Sequence, residues 1–357
     1  MMHLLTLLCS LLAVASASGP IDPYASRAQW PPAVYQDRHF SYRIHPDAIK
    51  FSAHIKQAAK MLTENTCLTY TENGPLKPYL EFRDGPQCEV DHFGAYPTNN
   101  GEWEDVVPVF LADKCTNGPI TPIHELLHTL HILHTFSRPD APQYLINAYP
   151  GNFKWQIPES FKYYDYSSIM HYKKNGILIA AKDSLYDWTM GQRVTVPFSD
   201  WKILNLHWNC TDKCPPLPCK NDGFPHPRTC STCFCNDFYT GKLCDIPKKT
   251  VSLQRPYFSK NPDVYMHYTP TIIKAPAGRR IRVTILELSD GYQLSKIICE
   301  ASVLEFVDDN LSLGGKRFCR LNYPKVTTFV SKSNVIGLKA SSIYERCLSA
   351  QVRFDVV

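Results

Sequence analysis

The residues that could do chemistry in this chain are concentrated between Thr121 and Arg138, which read T-P-I-H-E-L-L-H-T-L-H-I-L-H-T-F-S-R. His124 and His128 are one helical turn apart, so on a helix their imidazoles share a face and can grip one metal ion. Glu125 lies between them. The helix start is signalled by Thr121, whose hydroxyl can accept from the free N–H groups of the first turn. Pro122 then falls at the first helical position, where its missing donor costs nothing. Ile123, Leu126, Leu127 and Leu130 supply the apolar face that anchors such a helix in a core.

His-Glu-x-x-His on a helix carries a zinc-hydrolase mechanism. Two neutral imidazoles leave a zinc ion positively charged, a water bound to it loses a proton near neutral pH, and an adjacent carboxylate can shuttle that proton. A third protein ligand is required, and His131 and His134 are the candidates. His131 lies on the same helical face but about 10 Å along the axis from His124, too far for one zinc with bonds of about 2 Å. His134 reaches the ion if the chain leaves the helix after Leu130. The expected site is therefore one zinc per chain on His124, His128 and His134, with Glu125 as general base.

Tyr164 to Tyr172, Y-D-Y-S-S-I-M-H-Y, lies downstream. H-E-x-x-H-x-x-G-x-x-H followed by a Met-turn is the metzincin pattern, and the chain resembles the astacin family of secreted zinc endopeptidases, including its multidomain nematode members. The resemblance implies a two-lobed α+β catalytic domain that hydrolyses peptide bonds with zinc-activated water. It assigns Met170 to the floor under the metal and Tyr172 to a hydroxyl that moves between the zinc and the reacting carbonyl. Arg138, Pro139 and Asp140 match the segment after the third histidine. Three positions depart from the family pattern. His131 replaces the glycine that turns the chain out of the helix, where a side chain costs roughly 1–2 kcal/mol. Thr135 replaces the usual glutamate, and Ala141 and Pro142 replace an Arg-Asp pair. These departures motivate an alternative reading, a catalytically impaired astacin-like protein acting as an extracellular binding module.

The elements that must position this site follow from the rest of the chain. Its 357 residues exceed one ordinary core. A net charge of +5 spread over 38 basic and 33 acidic residues, with no basic block, argues against a nucleic-acid partner. Residues 1–17 read as a secretory signal peptide, with Leu4 to Ala15 apolar and Ala15-Ser16-Ala17 offering small residues for cleavage. No later run of about 20 apolar residues predicts a membrane span. A secreted, extracellular protein follows, in which disulfides are permissible. Residues 18–27 form a short pro-segment or linker. Asp22 reads there as a solvated linker residue, although the resemblance offers it a role as latency ligand, and Arg27 is a processing point.

The peptidase-like segment is expected to span 28–210. Apolar spacing predicts a helix from Ala48 to Leu62, strands at Tyr79–Phe82 and Val106–Leu111, and a closing helix at Ser199–His207. Val106–Leu111 is expected to be the edge strand along which an extended substrate pairs. Fourteen cysteines less Cys9 of the signal leave an odd number. The resemblance implies Cys67–Cys210 and Cys88–Cys115. Residues 211–245 resemble an EGF-like module and imply Cys214–Cys230, Cys219–Cys233 and Cys235–Cys244. Residues 246–357 alternate in short strands that predict a β-sandwich. The stretch from Cys299 to Cys319 resembles a CUB domain and implies that pair, leaving Cys347 over. Asn209 and Asn310 head glycosylation sequons. The partners expected are an extracellular protein or peptide substrate and a protein recognised by the CUB-like segment.

Overall fold

Period-two burial along Tyr79–Asp84 and Val106–Leu111 makes each a strand with one face sealed. The computed structural model describes residues 30–148, 163–174, 179–254, 257–261, 269–290, 302–308, 310–319, 327–342 and 348–357. The expected signal peptide, the expected linker with Asp22 and Arg27, and Cys299 and Cys347 lie outside the described residues.

After a short helix α1 (Pro32–Asp37) come β1 (His39–Ile44), α2 (Ser52–Asn65), β2 (Thr69–Glu72), β3 (Tyr79–Asp84), β4 (Glu89–Val90) and β5 (Val106–Leu111). The five strands form one sheet in the order β2-β1-β3-β5-β4. All neighbours are parallel except β4, which runs antiparallel to β5. Here the edge expectation is corrected. β5 is flanked on both sides, and the two-residue β4 takes the edge. So short a segment has no periodicity by which it could be read from sequence.

α2 presents Ile55, Ala58, Ala59 and Leu62 to the core. Its expected first turn is instead a 3-10 turn, Pro46–Phe51, whose different phase leaves Ile49 65% exposed. α3 (Ile120–Thr129) and α4 (Phe198–His207) complete the helices, and one core joins α2, α3 and α4 to the sheet. Trp30 seals one end. Its ring meets Phe40 edge-on at 4.8 Å, and its indole N–H donates to the Thr129 carbonyl at the last residue of α3. Cys67–Cys210 ties the approach to β2 to the segment after α4, and Cys88–Cys115 ties β4 to the approach to α3. A second, tyrosine-rich cluster forms around Tyr164, Tyr166 and Tyr186, beside the small hairpin β6 (Leu145–Ile146) and β7 (Ala180–Ala181).

Cys214–Cys230, Cys219–Cys233 and Cys235–Cys244 staple the next segment around two-residue pairs, β8 (Phe224–Pro225) with β9 (Cys233–Phe234) and β10 (Tyr239–Thr240) with β11 (Ile246–Pro247). Arg228 fastens it to the peptidase-like segment by donating to the carbonyls of Thr63 and Leu68 near the end of α2.

The remaining strands are β12 (Thr250–Ser252), β13 (Tyr257–Asn261), β14 (Thr271–Lys274), β15 (Ile281–Asp290), β16 (Ser302–Val307), β17 (Lys316–Phe318), β18 (Thr327–Val330), β19 (Val335–Ser342) and β20 (Leu348–Val356). They build two sheets, β12-β14-β19-β16-β17 and β13-β20-β15-β18, around a core that includes Ile281, Phe306, Ile336 and Phe354. Cys319 is disulfide-bonded.

A buried charge cluster holds the sandwich at β16, β17 and β19. Glu305 accepts from Arg317 Nε at 3.0 Å and from the Gly315 N–H at 2.9 Å, and it pairs with Lys339 at 2.9 Å. Burial alone would raise its pKa, but Lys339 and Arg317 outweigh burial and lower it from 4.5 to about 2. A carboxylate depressed in the folded state adds stability that is fully present above its unfolded pKa and is lost as pH falls through the folded one. Thermal melts of the full chain should therefore fall between pH 4.5 and about 2. Glu305→Gln should lose that part of the pH dependence and cost about 3–5 kcal/mol at neutral pH by leaving buried cations uncompensated.

Candidate functional site

α3 begins at Ile120, two residues earlier than Thr121 suggested, with Pro119 at the cap. Thr121 does not cap the helix because it lies inside the first turn, where its hydroxyl donates to the Cys115 carbonyl at 2.7 Å. Every residue of α3 is buried, His124, Glu125 and His128 included. At its other end the Ile132 N–H bonds to the Leu127 carbonyl and the His131 N–H to the His128 carbonyl, the paired bonds of a Schellman termination. That motif needs a left-handed residue at its hinge. His131 supplies it with φ +71°, so the glycine's conformation persists without the glycine. The turn sends the chain back across the helix and brings His134 to His124 and His128.

Nitrogen atoms of these three imidazoles lie within 4.8 Å of one another. His124 Nδ1 donates to the Ile169 carbonyl at 2.6 Å and His128 Nδ1 to the Ile132 carbonyl at 2.9 Å. Each ring is thereby fixed in the tautomer whose Nε2 lone pair faces inward. His134 Nε2 lies 2.9 Å from His128 Nε2, a separation that requires a proton or a cation between the lone pairs. Burial lowers the pKa of all three, that of His128 to about 4, so they are neutral at pH 7 and in ligand form. His134 is flanked by Tyr172 at 4.3 Å and Phe136 at 5.5 Å between ring centroids. His131 is not part of the cluster; its imidazole bonds back to the Phe93 backbone.

Met170 is fully buried next to the cluster, and its carbonyl accepts from the Thr135 N–H at 2.9 Å. The turn around it hangs on groups that sequence reasoning missed. Asp200, in the first turn of α4, accepts from Ser168 Oγ and from the Ile169 N–H, both at 2.7 Å. Asp165 accepts from the Ser167 N–H and hydroxyl and from the Ser199 hydroxyl. The buried His171 ring donates from Nδ1 to the Tyr172 carbonyl and accepts from the Tyr164 hydroxyl, each at 2.8 Å. Arg138, also buried, pairs with Asp140 through two 2.8 Å bonds and donates to the Tyr163 carbonyl.

The three histidines, Glu125 and Tyr172 line one cleft of about 530 Å³, walled by Glu89 and Val90 of β4 and by Lys173, Gly191 and Arg193. Burial pushes the Glu125 carboxyl up to about 8 against the pull of the Arg193 guanidinium. Tyr172 stays 43% exposed at the cleft mouth.

A sequence model of the astacin peptidase family matches residues 27–209. The chain belongs to the astacin family. Similar astacin-family relatives include zinc metalloproteinase nas-30 of Caenorhabditis elegans, 28% identical over 79% of this chain and 40% of the relative, and zinc metalloproteinase nas-36 of Haemonchus contortus, 27% identical over 86% and 53%. The chain thus spans about half the length of these first relatives. Among solved structures, high choriolytic enzyme 1, a hatching-enzyme zinc protease of the medaka Oryzias latipes, matches with 18% identity and a TM-score of 0.41. That match covers 52% of this chain and 96% of the other. The CUB1-EGF-CUB2 region of human MASP-1/3 matches with 14% identity and a TM-score of 0.24, over 39% and 49%. Astacin-family proteins use zinc, and three neutral imidazoles with converging lone pairs suit that ion.

His131 separates two costs. An alanine there keeps the left-handed strain and loses the bond to the Phe93 backbone, whereas a glycine loses only the bond. His131→Gly should therefore be more stable than His131→Ala by about 1 kcal/mol, read from urea unfolding of the two variants side by side.

Proposed function

We propose that this astacin-family chain is a secreted zinc metalloendopeptidase that hydrolyses peptide bonds in extracellular proteins. The observation that carries the reading is the convergence of His124, His128 and His134, as neutral imidazoles, in the cleft that also holds Glu125 and Tyr172. The three histidines would hold the metal. Bound zinc supplies positive charge that polarises a carbonyl, acidifies water and favours the ionised form of a nearby carboxylate.

An extended peptide pairs with the exposed edge of β4 and so lies across the cleft, its scissile carbonyl toward the histidines. Glu125 accepts the proton of the attacking water and passes it to the leaving amine, so that neither free hydroxide nor an amide anion forms. Tyr172 donates its hydroxyl to the oxygen on which charge develops, a contribution of about 3–4 kcal/mol where one such donor is well placed. Its pKa is raised by burial and by the Glu125 charge, which keeps it protonated and able to donate. Met170 forms the floor of the site. Residues 28–210 are the peptidase domain, 211–245 an EGF-like module and 246–357 a CUB-like module for recognition.

Secretion is supported by the five disulfides among the described residues, and no helix there is long and apolar enough to cross a membrane. Asn209 is exposed and open to a glycan. Asn310 is a poorer acceptor in the folded chain, since its amide nitrogen donates to Asp222 at 3.0 Å. The alternative of an impaired binding module is less favoured, because His131 adopts the left-handed turn of the glycine it replaces.

Incubation of the full chain, loaded with zinc, with a broad peptide library should give cleavage that a chelator abolishes and added zinc restores. Glu125→Gln should lower turnover by about 10²–10⁴-fold while its zinc content, measured by atomic absorption, stays at the wild-type value. Undiminished cleavage by that variant would sink the mechanism.

A further inference from the structure

Residues 310–316 of the sandwich, between β16 and β17, are built into the peptidase segment. The Gly314 N–H donates to Asp165 Oδ1 at 3.1 Å. That same oxygen accepts from the Ser167 N–H and hydroxyl, while the other carboxylate oxygen accepts from Ser199 at the start of α4. Asp165 therefore knots the sandwich, the turn that carries Met170 and the closing helix into one buried hub. The fit leaves no slack. A β-carbon on Gly314 would lie 2.1 Å from both the Cβ and the Oγ of Ser167, and one on Gly315 would lie 2.1 Å from the Phe306 carbonyl oxygen.

A second strand of contact reaches the cleft wall. The Thr189 hydroxyl, wholly buried, donates to the Gly315 carbonyl at 2.7 Å, and the chain from Thr189 runs directly to Gly191 and Arg193 in the cleft. Tyr186 donates to Asp308 at 3.0 Å, and Lys316 pairs with Asp308 at 2.6 Å and with Asp183 at 3.4 Å. From the hub to the histidines the path is short. Ser167 is followed by Ser168 and Ile169, whose carbonyl fixes the His124 tautomer.

We propose that residues 310–316 of the C-terminal sandwich are a positioning element of the metal site, with Gly314 and Thr189 as its positioning residues. Gly314 sets the Ile169 carbonyl, and through it His124; Thr189 sets the wall that carries Gly191 and Arg193. The inference rests on the reading of His124, His128 and His134 as zinc ligands. It gives the sandwich a task inside the peptidase besides any recognition on its outer surfaces.

The test compares full-length wild type, Gly314→Ala, Thr189→Val, Ser167→Gly and the double variant Gly314→Ala/Ser167→Gly. Zinc affinity is measured by competition with a chromophoric chelator, and kcat and KM on a short peptide that contacts only the cleft. Near-ultraviolet circular dichroism confirms that each variant is folded. Gly314→Ala should weaken zinc binding at least tenfold and lower kcat at least tenfold with KM within twofold of wild type. Thr189→Val should lower kcat/KM several-fold. Ser167→Gly, which removes the atoms the new methyl group meets, should restore most of the zinc affinity of Gly314→Ala. Where Gly314→Ala does not fold, Thr189→Val decides. Zinc affinity and kcat within twofold of wild type in the folded variants would overturn the inference. A wild-type chain that binds zinc and cleaves no peptide overturns the protease reading alone, and the zinc affinities then decide this one. A wild-type chain that binds no zinc overturns both.

Discussion

Three imidazoles must be buried side by side without charge, and much of the peptidase segment can be read as the means of doing so. Desolvation keeps them neutral, but burial of a polar ring is tolerable only where its N–H finds an acceptor. Two of the acceptors are main-chain carbonyls, of Ile132 and Ile169, so the path of the backbone and the chemistry of the site are one problem. The first carbonyl is positioned by the left-handed turn at His131, the second by the turn before Met170. Asp200 and Asp165 exist in this network to hold that second turn. Both are acidic residues whose bonds run to hydroxyls and backbone amides.

Much of this is legible in the sequence, and what is not fails for physical reasons. The pairing of His124 with His128 follows from helical period, and the exclusion of His131 follows from rise per residue. The left-handed conformation expected of the His131 backbone is present. The cap expected at Thr121 does not form because the helix already begins at Ile120, so that Thr121 sits inside its first turn. The edge strand escapes prediction because β4 has two residues and takes its place only through a disulfide and its pairing with β5.

Long-range contacts mark the limit of sequence reading. Gly314 and Asp165 lie 149 positions apart, and neither stands in a motif that names the other. The same holds for Asn310 with Asp222 and for Arg228 with Thr63. Three segments that look separable by cysteine spacing and strand pattern are thus joined by polar contacts, among them the bond from Gly314 to the buried Asp165 carboxylate. Such contacts are demanding in geometry, because each unsatisfied partner would cost more than the bond contributes.

The brevity of β4 has a bearing on the behaviour of the protein at high concentration. An open parallel sheet normally exposes a row of unpaired amides and carbonyls that invites another chain to add a strand, and long flat edges are where such proteins aggregate. At the β4 side of the sheet the edge amounts to Glu89 and Val90, pinned by Cys88 to the loop before α3. Two residues give a second sheet too little to grip. A single peptide strand inside the cleft gains the contacts of the surrounding walls as well, so the same edge is open to one extended chain and closed to a sheet.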